Sequence, residues 1–448
     1  MTKCQEELYQ LASQYLPGGV CSSARVHKSI GRPVYISRAD GSRVYDVEGR
    51  EYIDLFMSFG AGLLGHGHPA VKEAITQAVA LGFPCAYETE YQGRLAQEIS
   101  SIVPCADLVR FTLSGTETTY YAVRLARHYT GRAKVLKFEG HFHGFNEHLA
   151  YNYWPSPEAM WPTLAPAMDG IPDSLQGNTL VLPFNDEELL ETTLATHGDE
   201  IAAVILEPLN YNSGAIEPLP GYLEKVRRLT AQHEIVLIFD EILSNFRTGP
   251  GCIQAFYGVT PDLCTLGKVL GGGLALSAFA GRREIMSHVA PLGKVQHSGT
   301  YNALWLPIMA GLAVIDTITQ PDFYATLLPR CQRFYDGVNE IMRRRRFPGR
   351  VQGIGARCAF LFGRAAEKER LVNYSDFAEN DWGLGLRFYG AALEYGLYMH
   401  SAHHHGISAM HTDADVELAL ERIEAVVAHL LREGLDRPGS ASNDPRFF

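Results

Sequence analysis

The chain has 448 residues, of which 46% are hydrophobic and 20% charged, enough for two or three domains with a sizeable core. A formal net charge of −11 excludes a broad nucleic-acid or anionic-membrane surface, since both need clustered cations. Eight cysteines without a C-x-x-C pair signal neither a zinc ribbon nor a dithiol redox motif, and the lack of an apolar leader or a run of about 18 apolar residues predicts a cytoplasmic protein.

Residues 1–59 hold a polar helix-like stretch, then "PGGV", then "VYISRADGSRVYDVEGREYID", whose alternation and D-G and E-G turns predict a small antiparallel meander. From 60 to 311 the pattern changes, with short apolar runs alternating with longer helical-period segments. "LVRFTL", "AKVLKFEG", "TLVLPF", "IAAVILEP", "EIVLIFDE" and "LSAFAG" read as strands. Runs apolar on both faces predict an α/β domain built on a mainly parallel sheet. Residues 312–435 are mixed again, with helical stretches near 323–346 and 415–433 and the strand-like "RCAFLF". They are expected to join residues 1–59 in a smaller α+β domain. The basic run at residues 343–346 reads as a solvated helix end, and 436–448 as a tail of disorder-type composition.

Ligands of parallel α/β sheets sit at the carboxyl ends of strands, which directs attention to the residues at the end of each apolar run. "EIVLIFDE" delivers Asp240 at the end of a strand too apolar to be exposed. A buried carboxylate there could cap a helix, meet an arginine, or hold a protonated heteroaromatic nitrogen. Lys268 ends "PDLCTLGK" and precedes Gly271, Gly272 and Gly273. A lysine in such a stretch either snorkels to water or uses its amine chemically, and with a strand-end aspartate it forms the pair a pyridoxal-phosphate site needs. Ser114, Gly115 and Thr116 stand between a strand and a helix. They read as an ordinary N-cap or as a phosphate cradle of backbone N–H groups at the positive helix end.

With these residues in place, the sequence resembles the class III, fold-type I pyridoxal-phosphate aminotransferases, in particular the group similar to glutamate-1-semialdehyde aminomutase and β-amino-acid aminotransferases. "LPGGVCSSAR", "HGHPAV", "SGTE", "KFEGHFHG", "ILEP", "IFDEI", "TLGKVLGGG", "HSGTYN" and "MHTDAD" carry the resemblance across most of the chain. It implies that Lys268 links covalently to the cofactor and moves the proton, and that Asp240 keeps the pyridinium nitrogen charged. Phe142 would stack on one ring face beside His143, Ile242 would pack on the other, and Ser114, Gly115 and Thr116 would bind phosphate. Thr300 would reach the phosphate of a neighbouring subunit, implying a homodimer with interface sites. Glu207 falls at an active-site glutamate of the family. Arg25 matches an arginine that grips the substrate carboxylate, against the plain reading of a surface arginine, and Phe59 is expected to line an apolar substrate pocket.

Two stretches depart from the family. Leu113 replaces a usual asparagine, and residues 151–171, "YNYWPSPEAMWPTLAPAMDGI", are aromatic and proline-rich where the aminomutases carry a glycine- and serine-rich gating loop. The second departure favours two-substrate transamination of a β- or aromatic amino acid with a keto acid or aldehyde acceptor. A 2,1-aminomutase is the alternative in the same chemistry, and a non-catalytic cofactor-binding domain the alternative of another class. His403, His404 and His405 are adjacent and have no acidic partner set, so they are expected to form a pocket-edge or surface cluster with no metal.

Overall fold

The computed structural model describes residues 4–83, 85–401 and 404–434. Thirteen strands occur among them: β1 (Ile36–Asp40), β2 (Arg43–Asp46), β3 (Glu51–Asp54), β4 (Leu108–Thr112), β5 (Lys134–Phe138), β6 (Thr179–Leu182), β7 (Ile201–Leu206), β8 (Val236–Asp240), β9 (Leu263–Leu266), β10 (Ser277–Gly281), β11 (Gly349–Ile354), β12 (Arg357–Phe362) and β13 (Leu397–Tyr398).

The chain divides into two units. The larger takes Pro69–Ala325 and Arg370–Ala378; the smaller takes the residues up to His68, Thr326–Glu369 and those from Glu379 on. The breaks fall at 68/69 and 325/326 rather than 59/60 and 311/312. Helix Trp305–Ile318 packs on helices Pro69–Leu81 and Glu90–Ile102 and so stays with the larger unit.

The larger unit is built on a seven-stranded sheet in the order β4-β10-β9-β8-β7-β5-β6. β10 runs antiparallel to both its neighbours, and β9, β8, β7, β5 and β6 pair in parallel. This is the α/β architecture expected from the two-sided apolar runs: every residue of β7, β8, β9 and β10 is buried. Helix Gly115–Thr130 lays Ala122, Val123, Leu125 and Ala126 on Ile205, Ile238 and Phe279 of the sheet. Ser114 caps its start, accepting the Glu117 N–H on Oγ at 3.2 Å, and Gly131 closes it at φ +71°.

In the smaller unit β1, β2 and β3 form the expected meander, extended by β13 parallel to β3, and β11 and β12 pair as a separate antiparallel hairpin. Long helices occupy Asp322–Arg345 and Asp413–Arg432. The first ends on the basic run, where Arg344 and Arg345 share Glu424. The tail at 436–448 lies outside the described residues. Among the described residues, no helix is long and apolar enough to cross a membrane.

Candidate active site

Five strands of the large sheet each deliver a candidate at or just past their last residue. Ser114, Gly115 and Thr116 come after β4; Phe142 and His143 after β5; Glu207 after β7; Asp240 ends β8 with Ile242 beyond it; Lys268 comes after β9. Together with Leu113, Asn212 and Ser277 they line a cavity of about 280 Å³. Parallel strand direction gathers them, since every such strand presents its carboxyl end on the same side.

Asp240 is 3% exposed and fixed at both oxygens. Oδ1 accepts the Ile242 N–H at 3.0 Å and the Thr265 hydroxyl at 2.9 Å, while Oδ2 lies 2.7 Å from His143 Nδ1. Burial pushes the His143 imidazole below its ordinary pKa, against the pull of Asp240. A neutral His143 donating from Nδ1 leaves the negative charge on the aspartate.

Lys268 stands at φ +44°, a left-handed backbone that costs a β-carbon residue free energy and concentrates at functional sites. Gly267 before it has no room for a side chain: a Cβ there would meet Ser277 Oγ at 2.7 Å and Ile242 Cδ1 at 3.0 Å. The Asn245 amide donates to the carbonyls of Ile242 at 2.9 Å and Gly267 at 3.1 Å, clamping the segments after β8 and β9 together. The same Ile242 side chain bounds Gly115, where a Cβ would come within 3.1 Å of Ile242 Cγ2.

Glu207 is 3% exposed. Its Oε1 accepts the Phe142 N–H at 2.8 Å and its Oε2 the Asn212 amide at 2.8 Å. Burial raises its carboxyl to about 8, and repulsion from Asp240 acts in the same direction. The Phe142 ring stacks on Trp154 with planes 4° apart and centroids at 5.5 Å, and Tyr153 meets it edge-on at 5.3 Å. Trp154 Nε1 donates to the Asn212 carbonyl at 3.3 Å, which ties residues 151–171 to the Glu207 group. Asn152 closes this segment on itself: its amide donates to the Ala159 and Thr163 carbonyls at 3.1 and 2.9 Å, and its Oδ1 accepts the Ala165 N–H at 2.8 Å.

The other sequence candidates lie elsewhere. Thr300 is exposed and does not line the cavity of its own chain. In the smaller unit Arg25 closes a short helical turn and is exposed, and it is not among the residues that line the cavity. Phe59 follows Met57 and Ser58 in three consecutive left-handed residues at φ +50°, +55° and +52°, anchored where Asp54 Oδ1 accepts the N–H groups of Phe56 and Met57 at 2.9 Å. Its ring packs edge-on against Phe56 at 4.5 Å and tilted on His400 at 5.5 Å. His404 Nδ1 accepts from Arg357 Nε at 2.9 Å, and His405 Nε2 lies 3.0 Å from the His400 carbonyl; His403 lies outside the described residues.

Thr265, Asn212 and Asn245 carry no sequence signal of their own. Thr265 stands beside Asp240 through the register of β8 and β9, which no local pattern discloses.

Comparison with known proteins places this geometry. The family model described as "Aminotransferase class-III" matches residues 24–427. The chain belongs to that family. The glutamate-1-semialdehyde 2,1-aminomutase 2 of Brevibacillus brevis is 37% identical over 418 residues, covering 93% of this chain and 96% of that one. The crystal structure of an omega-transaminase from Sphaerobacter thermophilus superimposes with a TM-score of 0.87 at 31% identity, covering 95% and 97%. A β-phenylalanine aminotransferase from Variovorax paradoxus gives a TM-score of 0.85 at 28% identity, covering 96% and 94%. The fold is that of the fold-type I transferases, and pyridoxal phosphate is the cofactor of the family.

Proposed function

We propose that this class III enzyme is an aminotransferase working by a ping-pong mechanism between a carboxylate-bearing amino acid, β- or aromatic in type, and a keto acid or aldehyde acceptor. The observation that carries it is the placement of Asp240 and Lys268 at the ends of neighbouring parallel strands, on one cavity with the capped helix start at Ser114.

The residues fit pyridoxal phosphate. The absence of side chains at Gly115 and Gly267 lets Ile242 pack close against both, and Ile242 and the Phe142 ring line the cavity as apolar surfaces for the two faces of a flat ring. The Ser114 hydroxyl and the N–H groups of Gly115 and Thr116 would hold the phosphate. Asp240, anionic and fixed in place, would keep the proton on the ring nitrogen. The bound cofactor supplies an electron sink for the substrate carbon that loses its proton. Lys268 Nζ would anchor the cofactor and then carry the proton between the substrate's carbon and the cofactor's. Glu207 holds the Phe142 backbone. Arg25 keeps the substrate role implied by the resemblance, a guanidinium fork for a carboxylate, and Phe59 is proposed as an apolar wall. Thr300, exposed on its own chain, is proposed as the phosphate ligand for a second copy.

Support for an aromatic or β-amino substrate comes from the Phe142, Tyr153 and Trp154 cluster, together with the Variovorax neighbour's described substrate. The internal closure of residues 151–171 around Asn152 suits a fixed wall better than a loop that opens and shuts. The second reading, intramolecular transfer by a 2,1-aminomutase, rests on the 37% identical relative. One experiment separates the two: purified holoenzyme is given a β-amino acid with pyruvate or 2-oxoglutarate, and separately glutamate-1-semialdehyde alone. Acceptor-dependent formation of alanine or glutamate supports the transaminase. Rearrangement without any acceptor, and no reaction with the pairs, overturns it.

A further inference from the structure

Lys137 sits within β5, which pairs on both sides with β6 and β7, and its side chain is fully buried. A cation in such a place is costly unless every donor is used. All three are: Nζ donates to the carbonyls of His141 at 2.9 Å, Leu149 at 3.0 Å and Tyr151 at 2.6 Å. These acceptors bracket residues 141–151, so one ammonium draws both ends of that excursion to a point inside the sheet.

The arm nearest the cavity carries Phe142 and His143. It is gripped from two other directions, where Thr119 Oγ1 donates to the His143 carbonyl at 2.8 Å and Glu207 accepts the Phe142 N–H. Lys137 holds the arm from beneath and also fixes the return of the excursion into residues 151–171. Its charge has a second effect. Burial is the main cause lowering the protonation of His141 and His143, and the Lys137 charge adds to it. Glu207 and Glu139 work the other way, favouring the charged lysine against a burial that brings it down to about 7.

We propose that Lys137 is a positioning residue for the cofactor: its ammonium sets residues 141–143 so that Phe142 lies along the cavity and His143 points Nδ1 at Asp240. This rests on the pyridoxal-phosphate reading above. Neither Lys137 nor Leu149 or Tyr151 lines the cavity, so the effect passes through backbone.

The test is a titration of cofactor-free protein with pyridoxal phosphate, followed by absorbance, for wild type, Lys137→Met, Lys137→Gln, His143→Ala and the double variant Lys137→Gln/His143→Ala, with the thermal midpoint of each cofactor-free protein measured alongside. Wild type that takes up no cofactor overturns the parent reading and not this one alone. Given uptake by wild type, Lys137→Met is expected to weaken binding by about tenfold to a hundredfold, in line with the loss of groups that orient a first shell. Lys137→Gln retains two donors, is the variant compared should Lys137→Met not fold, and is expected to weaken binding less. The double variant is expected to bind no more weakly than the worse single one, because both changes disturb the same contact. Unchanged affinity in folded Lys137 variants, or losses that multiply in the double variant, overturns the proposal and leaves a purely structural lysine.

Discussion

The two units each bury charged side chains, but they close them differently. In the smaller unit Asp415 is 5% exposed and surrounded: Ser42 Oγ, Arg43 Nη1 and both the N–H and hydroxyl of Thr412 reach its oxygens. Despite burial, these donors bring its carboxyl down to about 2. Nothing is left over for a ligand, and the group serves as part of the capping box that starts helix Asp413–Arg432. At the carboxyl edge of the large sheet, Asp240 and Glu207 are equally buried yet line a cavity, with Lys268 strained beside them. Burial by itself therefore does not mark function; burial with an open side does.

Substitutions that separate activity from stability break this comparison most sharply. On the proposed reading, Lys268→Ala is expected to lower transamination by about 10⁴-fold or more, since the variant would lose the anchoring amine and the proton carrier together. The rate of absorbance change of the bound cofactor on adding an amino donor reads this, with folding checked by circular dichroism. Next, Asp240→Asn keeps an acceptor for Ile242 and Thr265 but removes the charge, so turnover is expected to fall about 10²- to 10⁴-fold with little change in thermal midpoint. Asp415→Ala is the mirror case: it leaves turnover intact and costs about 1–3 kcal/mol of stability, seen by denaturant unfolding. Its pH signature comes from the depressed carboxyl. The stabilisation is full above the ordinary aspartate value of about 3.9 and drains as pH falls toward 2, so wild type and variant converge in acid.

Glu207 gives the opposite sign. Raised to about 8, it favours the folded state most below the ordinary glutamate value of about 4.3, and that advantage declines as pH rises toward 8. Cofactor-free wild type should lose thermal midpoint relative to Glu207→Gln across that interval, while Glu207→Gln, which keeps an acceptor for the Phe142 N–H, stays flat. Parallel curves would show Glu207 to be ionised throughout.

Much of the edge was legible in the sequence because its residues stand directly after apolar runs. Asp240 after "EIVLIF", Glu207 after "AAVIL" and Ser114 between strand and helix needed only the rule that parallel strands present ligands at their carboxyl ends. The residues that escaped depend on pairing at a distance. Thr265 reaches Asp240 through a parallel register, Asn245 clamps two loops through its amide, and Lys137 looks like one more residue of a buried strand. The four-residue β9 and two-residue β13 are too short to show a period, so their place is set by neighbours.

The smallest expected effect tests the reading of the basic run. Arg344 and Arg345 reach the two oxygens of Glu424 at 2.8 and 2.6 Å, but the arginines are 54% and 44% exposed. Water screens such pairs and long side chains lose freedom in making them, so each contributes little. Arg344→Gln leaves Glu424 its second guanidinium, and unfolding free energy is expected to move by less than about 0.5 kcal/mol, with no change in turnover. Raising salt should shrink even that difference, because exposed charges are screened within about 10 Å at 0.1 M. A loss as large as that of Asp415→Ala would mean that exposure does not separate the structural charges from the dispensable ones, and that the helix end carries a role its solvent contact conceals.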